Sequence, residues 1–436
     1  MWWLASFIPK RAGMSACGYC VNSCRCERQR DGLRVSLMLY RLRKLAAFFS
    51  YFRYARKRWL WPQRSEVMIF DACGEELLRD YLRDCSIEVL PVRGESINVP
   101  VMLASLFVGG NRSEAYFDVY IRRVRPRLIV TFIDNTLAFY RLSSRHAGVK
   151  TMFIQNGWRG YHADVFEQLD ALGEDTGALA VDYMLCFGPA IGRLYQRYIK
   201  GDVVAIGALR NNRHLRSAAR EAGCLAYVSQ WRGEGLQLAG QMYSQEELIG
   251  SVDRCIVGFL ADYARANGKR VSIIPRTPEG SAERQEEAQY FATILGDPWS
   301  VLEYRTPGSS YMALDAAEVV VGVDSTLVYE AIARGTRTAI FSIRGAMMGV
   351  QGFGYGWPAT CPPDGPFWTN TPAHERFAAV LNYLFAISDD DWRKELHSVA
   401  FEELMVFDPC NALLKQTLAQ ALAPRASNQT LEVAKK

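Results

Sequence analysis

Residues 319–335 read VVVGVDSTLVYEAIARG and hold the densest set of groups able to grip a phosphorylated ligand. Four valines around one glycine predict a buried parallel strand. Asp324, Ser325 and Thr326 then turn the chain, and Ser325 or Thr326 is placed to cap the following helix. Free N–H groups at a helix start attract phosphate, and a hydroxyl cap adds a donor. Glu330, about one turn further in, is placed to accept hydrogen bonds from a ribose diol. The same residues also read as a well-capped core helix carrying a surface Glu.

The other polar clusters follow apolar runs in the same way. LIVTF leads into Asp134-Asn135, TMFI into Gln155-Asn156-Gly157-Trp158-Arg159, and VVAI into Gly207-Ala208-Leu209-Arg210-Asn211. LAYV leads into Ser229-Gln230-Trp231-Arg232, and VSII into Pro275-Arg276-Thr277. In open parallel sheets ligands sit outside the carboxyl ends of the strands, and these clusters fall there. Three come from each half, which predicts a site in a cleft between two facing sheets. A departing phosphate needs fixed donors: the helix start at Ser325 and Thr326, Arg276, and Arg232 within reach. Asp324 and Ser229 complete that donor-side set. An attacking hydroxyl needs a base, and Asp134 is the best candidate; it reads equally as an Asx turn or helix cap. Asn135, Gln155, Asn156, Arg159, Arg210 and Asn211 suit the hydroxyls or carboxylate of a sugar acceptor. Their plainer reading is a glycine-centred turn and a strand cap.

These clusters need a scaffold, and the chain supplies a strand–helix rhythm from residue 66. Expected strands are Val67–Asp71, Ile87–Val92, Leu128–Phe132, Thr151–Gln155, Tyr183–Phe187, Val203–Gly207, Leu225–Ser229, Val271–Pro275, Val301–Tyr304, Val319–Val323 and Thr338–Ile343. A helix is expected over Gln245–Asn267, and a helix-rich polar join over Asn211–Gly223. The pattern predicts an α/β fold of two Rossmann-like domains facing across a cleft. The expected division is 1–65 as a basic extension with an amphipathic helix, 66–215 as the acceptor domain, 224–400 as the nucleotide-donor domain, and 401–436 as a terminal helix and loose tail.

The 436 residues carry a net charge of +5, but residues 1–65 hold 14 Lys/Arg and 2 Asp/Glu, so the remainder is acidic. No run of 18 apolar residues predicts a membrane span. Residues 38–61 mix aromatic and aliphatic side chains with seven Arg/Lys, the composition of a helix lying on an anionic membrane surface. Packing on the protein's own acidic body is the alternative; nucleic acid is not an expected partner. Cys17, Cys20, Cys24 and Cys26 lie close enough together to hold a metal ion, though no second ligand pair follows and a dispensable extension fits as well. The other cysteines are scattered, as in a reducing cytoplasm. There is no Gly-rich phosphate loop and no HExxH, and Asp389-Asp390-Asp391 reads as a helix start. His162 lies near the Gln155 cluster. No cofactor and no catalytic metal are expected.

TFIDNTLAFYRLS, KTMFIQNGWRG, VDYMLCFGPAIGRLY, AIGALRNN, YVSQWR, GVDSTLVYEAIARG, GFGYGWP and DGPFWTN together resemble a bacterial family of surface-polysaccharide biosynthesis proteins, over roughly residues 66–415. The resemblance implies a GT-B-type glycosyltransferase acting at the cytoplasmic face of the membrane. Its donor would be a nucleotide-sugar and its acceptor a capsule, O-antigen or related glycan, or a lipid-linked precursor. More distantly, the second half is similar to sialyltransferases, Kdo transferases and teichoic-acid glycerophosphotransferases. In those enzymes a His-Pro pair stands where this chain has Arg276-Thr277-Pro278, and a Ser-Ser pair where it has Ser325-Thr326. That likeness points to a CMP- or CDP-linked donor. The competing readings are a CDP-alditol phosphotransferase, a nucleotide-sugar 2-epimerase-like isomerase, and a binding protein without catalysis.

Overall fold

The computed structural model describes residues 53–109, 111–161, 164–217, 220–238, 241–296, 309–350, 354–358 and 361–423. The expectations for the four-cysteine cluster, most of the 38–61 segment, His162, the strand Val301–Tyr304 and the tail after residue 423 lie outside the described residues. The chain divides into two compact units, Met1–Phe132 and Ile133–Lys436.

In the first unit the strands are β1 Arg56–Arg58, β2 Val67–Phe70, β3 Ile87–Leu90, β4 Ser96–Asn98 and β5 Leu128–Thr131. β2 lies between β3 and β5, with both pairings parallel, and β1 pairs in parallel with β4. Every residue of β2 and β5 is buried, so VMIF and LIVT need no polar alternation. The helix Arg112–Val124 starts at Asn111, whose side chain accepts from Ser113 N, and buries Ala115, Phe117, Tyr120, Ile121 and Val124. That spacing is one helical face. Glu88 anchors two elements: its Oε1 accepts from Tyr120 Oη at 2.6 Å and from Arg58 Nη2 at 2.7 Å.

In the second unit β6 Lys150–Ile154, β7 Ala180–Cys186 and β8 Lys200–Ala205 form a parallel ladder in that order. A second parallel ladder follows, made of β9 Glu221–Val228, β12 Arg270–Ile274, β13 Ala317–Gly322, β14 Thr338–Phe341 and β15 Trp368–Thr369, in the order β12-β9-β13-β14-β15. Between β9 and β12, β10 Leu236–Leu238 and β11 Gln241–Tyr243 make an antiparallel hairpin. The α/β class and the parallel strands match the sequence expectation. The centre of the order changes direction between β9 and β13, the kind of switch point where an open α/β sheet leaves a crevice at its strand ends. Gly322 sits at the close approach of β13 to the next helix: a Cβ there would lie 2.2 Å from Val328 Cγ1.

Two expectations need correction. The strands stop one or two residues earlier than expected, because the last residues of each run already bend into the polar clusters. The stretch Asn211–Gly223 is not helix-rich. Its described part contains one 3-10 turn, Asn211–Arg213, and β9 begins at Glu221. Asn211 and Asn212 are buried, held by the returning chain end: Asn212 Nδ2 donates to Asn411 Oδ1 at 2.9 Å and Asn411 Nδ2 to Leu209 O at 3.0 Å. Nearby, Val406 N donates to Phe187 O at 2.9 Å. The expected helix Gln245–Asn267 opens with a π turn, Glu246–Gly250, before the α-helix Ser251–Asn267.

Gly322→Ala should destabilise the protein by about 1–3 kcal/mol through overpacking against Val328. Urea unfolding of the two proteins measures it; an unchanged midpoint would show that the β13–helix contact is looser than described.

Candidate functional site

At the carboxyl end of β13, Ser325 caps the helix Thr326–Ala333 with φ −65° and ψ 139°, and its Oγ accepts from Leu327 N at 3.3 Å. Asp324 is held by Arg344, whose Nη1 lies 2.9 Å and 2.7 Å from the two carboxylate oxygens. The other arm of Arg344 donates to Gln230 Oε1 at 2.6 Å, and its Nε is buried without a partner. Arg276, after β12, is exposed and donates from Nη1 to Trp231 O at 3.2 Å. Arg232, after β9, is half-buried and has no salt-bridge partner among the described residues. Burial, and then the charges of Arg276 and Arg344, pull its guanidinium below the usual range. Three cations from three strand ends therefore share one field, and Asp324 is paired with only one of them.

Glu287, from the helix Ala282–Leu295, fixes the backbone around them. It is buried and accepts from Arg276 N and Thr277 N, both at 2.9 Å, and from the hydroxyls of Ser229 and Thr277. Ser229 Oγ also accepts from Trp231 N at 3.1 Å. Ser229 thus reaches the site through the loop it holds. Behind this layer Asp253 accepts from Tyr227 Oη at 2.7 Å and Tyr290 Oη at 3.2 Å, and burial pushes its carboxyl up to about 6.

Asp134 has no exposed surface. Its Oδ2 accepts from Arg159 Nε at 2.8 Å and Tyr195 Oη at 2.7 Å, and its Oδ1 from Arg159 Nη2 and, at 3.3 Å, from Asn156 N. Tyr140 and Tyr195 hydroxyls donate to its carbonyl. Arg159 Nη2 also donates to Asn156 Oδ1 at 2.6 Å. Gln155 is buried and closes the same turn, its Oε1 accepting from Phe187 N at 2.8 Å and its Nε2 donating to Gly157 O at 3.0 Å. Asn135 is half-buried beside them. Asp134 and Arg159 are spent on each other and Gln155 on the backbone of Phe187 and Gly157, which shapes the loop Asn156–Arg159.

That loop meets the capped helix. Trp158 N donates to Thr326 Oγ1 at 2.8 Å, and the Trp158 indole stacks on Tyr329 with centroids 3.6 Å apart and planes 11° from parallel. The structure therefore brings the Gln155–Arg159 cluster to the Asp324–Thr326 turn. A second contact lies one and two turns down the helix. Arg334 pairs with Asp315 and donates from Nη1 to Asn211 Oδ1 at 3.2 Å and His214 O at 2.7 Å. Glu330 is buried rather than on the surface; burial raises its carboxyl to about 7, opposed by a hydrogen bond from Tyr311 and by the charges of Arg210 and Arg334. Asn211 is fully buried and donates to Glu330 O at 3.4 Å, whereas Arg210 is exposed.

Sequence reasoning missed Arg344, Glu287 and Trp158. Arg344 follows β14 by the same strand-end rule that found the others. Glu287 carries no local signal, and Trp158 was named only as part of its cluster.

With this α/β scaffold and cationic corner described, kinship can be stated. The chain belongs to a family described as "putative O-antigen biosynthesis protein", which it matches over residues 152–422. Among solved structures it is similar to the wall teichoic acid polymerase TagF, in a structure described as H444N + CDPG, at 9% identity and TM-score 0.44, over 82% of this chain and 88% of that one. It is also similar to UDP-GlcNAc 2-epimerase from Neisseria meningitidis bound to UDP-GlcNAc, at 8% identity and TM-score 0.46, over 81% and 99%. A third likeness is to sucrose-phosphate synthase from Thermosynechococcus elongatus, at 13% identity and TM-score 0.44, over 82% and 99%. No curated protein matches the sequence. These structural likenesses are loose, and no residue role is transferred from them.

Two outcomes follow from the buried acids. Asp134→Asn strands a buried guanidinium and should cost about 3–5 kcal/mol of stability. Adding Arg159→Gln to it should recover part of that loss in thermal or urea unfolding; an Asp134→Asn protein as stable as the parent would mean the carboxylate is free for other work. Glu330 has a folded pKa raised to about 7, above the ordinary value near about 4.3. The stability linked to its protonation is full below about pH 4 and is lost as pH rises through about 7. Glu330→Gln should therefore gain on the parent between about pH 5 and 8, by up to about 3 kcal/mol. A gap between the two that does not change with pH would refute the assignment.

Proposed function

We propose that the protein is a glycosyltransferase that moves a sugar from a nucleotide-activated donor to a growing cell-surface polysaccharide or its lipid-linked precursor. Kinship with O-antigen biosynthesis proteins supports the pathway. The observation that carries the reaction class is the cationic corner: Arg344 holds Asp324 just before the Ser325-capped start of a helix, and Arg232 lies in the field of Arg344 and Arg276. Such a corner suits the phosphates of a departing nucleotide, whose charge grows as the glycosyl bond breaks. In this reading the acceptor hydroxyl attacks the anomeric carbon and loses its proton to water, the nucleotide leaves with the bonding electrons, and the arginines and helix N–H groups meet its charge without a divalent ion. Thr326 and Asp324 shape the phosphate seat, and Glu330 supports it from one turn inside. Arg159, Asn156, Asn135 and Arg210 form the acceptor side, with Gln155 and Asn211 buried behind them as supports of its turns. Asp134 serves there by fixing Arg159, because its own oxygens are already occupied.

The donor is proposed to be CMP-linked. The protein is proposed to work at the cytoplasmic face as a peripheral protein, touching an anionic membrane through residues 38–61. Among the described residues no helix is long and apolar enough to cross a membrane.

A thermal-shift screen with CMP-, CDP-, UDP-, GDP- and dTDP-linked donors tests the proposal. One class should stabilise the protein, by about 2.7 kcal/mol at 100 times its dissociation constant. Arg276→Ala and Arg344→Ala should each weaken that shift. If no class binds, or both variants bind as the parent does, the donor seat is misplaced. Incubation with acceptor then separates sugar transfer from attack on phosphorus by the product: a glycoside without phosphate in the first case, a phosphodiester in the second, since a CMP-sugar and a CDP-alditol both release CMP.

A further inference from the structure

The first unit carries an exposed apolar face of its own. Phe107 is 92% exposed, Leu60 84% and Trp59 69%, and Leu103 and Leu106 are more than half exposed. Leu103, Leu106 and Phe107 are spaced i, i+3 and i+4 at the end of the helix Val99–Ser105, and the turn continues beyond it: Leu106 N donates to Leu103 O and Phe107 N to Ala104 O, both at 3.2 Å. They therefore lie on one helical face. The start of the same helix is tied to the tryptophan segment. Asn98 caps the helix, with Oδ1 accepting from Val101 N at 3.2 Å, while its Nδ2 donates to Leu60 O at 2.8 Å. Two exposed apolar groups thus flank one seven-residue helix.

Their charge is one-sided. Residues 53–64 hold Arg53, Arg56, Lys57, Arg58 and Arg64 and no acid, with Arg58 paired to the carboxylate of Glu88, and residues 99–113 hold Arg112 and no acid before Glu114. Arg123 also sits over the Trp61 ring at 5.4 Å. Indole rings with cations beside them suit the boundary between headgroups and acyl chains, and leucine and phenylalanine suit the layer beneath. Large apolar side chains exposed beside basic ones mark interaction and membrane surfaces.

We propose that Trp59, Leu60, Trp61, Leu103, Leu106 and Phe107 form a docking face for an anionic lipid bilayer, with Phe107 and its two leucines inserted and the arginines on the phosphates. This rests on the reading of residues 38–61 as a membrane contact and extends it into the folded unit. It does not depend on the donor site. The sequence leading into Arg53, MLYRLRKLAAFFSYF, has the same mixture of basic and apolar residues, so the chain would enter the face from a segment suited to the same surface.

The test is co-sedimentation of the full chain with vesicles of phosphatidylcholine alone or with about one-third phosphatidylglycerol. The parent should bind the anionic vesicles, and high salt should weaken binding. Leu103→Ser/Leu106→Ser/Phe107→Ser should lower the partition coefficient about tenfold or more while leaving the unfolding midpoint in place. Phe107→Ser alone, at a site with almost no protein neighbours to lose, should lower it in the same direction. Unchanged sedimentation of both variants overturns the proposal. So does equal binding to neutral vesicles, or a triple variant that turns a dimer into a monomer on size exclusion while binding vesicles as the parent does. None of these readouts involves the nucleotide, so the donor screen succeeds or fails independently.

Discussion

A half-buried guanidinium, Arg232, set in the field of two others, Arg276 and Arg344, is an arrangement that a fold must be built to tolerate. Like charges at close range raise the energy of the empty site, and burial adds to it. The second ladder supplies the restraint in layers. Asp324 and Gln230 take the two arms of Arg344. Glu287 clamps the backbone that carries Arg276 and, through Ser229, the turn that leads to Arg232. The carboxylates satisfy loops more than they cancel charge, which leaves a positive surplus directed at the strand ends. That surplus is what the proposed donor phosphates would complement.

The opposite balance holds at Asp134. Taking one carboxylate and one guanidinium out of water costs several kcal/mol per ion, and it is tolerable only where the remaining lone pairs and protons find partners. Asp134 meets that condition with Arg159, Tyr195 and Asn156 N. The return on this outlay is shape. Asn156 and Arg159 are pinned at both ends of a four-residue turn, so Gly157 and Trp158 must project from it. Trp158 then reaches Thr326 and Tyr329.

Much of this was legible before any coordinates, because parallel sheets are directional: apolar runs predict strands, and strand direction predicts which loops share an edge. That reasoning placed Ser229, Arg232, Arg276, Asp324, Ser325 and Thr326 just after strand ends, and the first unit's fully buried strands read as plainly. It failed where a partner lies far along the chain. Asp134 looked like a base because nothing local shows that Arg159, 25 residues on, will saturate it. Glu330 looked like a surface residue because its burial depends on Tyr311 and Arg334 closing over it. Asn211 looked like a strand cap or sugar ligand, yet it serves a buried joint with Arg334 and the Glu330 carbonyl. Glu287 lay on an ordinary polar helix, and only its tertiary neighbours distinguish it.

The helix Thr326–Ala333 gathers these threads. Thr326, Glu330 and Arg334 recur every four residues, so they stand one above another on a single face. From start to end that face meets the Trp158 turn, the Arg210–Asn211 turn and the His214 carbonyl. Tyr329, one position round, stacks on Trp158 on one side and lies parallel to Tyr355 on the other. A helix is stiff along its axis, so a ligand drawn to its start acts on a rod already bolted to the turns of the first ladder. Thr326 makes the link chemical as well as mechanical. Its oxygen accepts from Trp158 N, and a hydroxyl that accepts in this way keeps its own proton to donate. Under the proposed function, this one side chain would hold the acceptor-side turn and a donor phosphate at once, coupling the grasp of the nucleotide to the setting of the opposing loop.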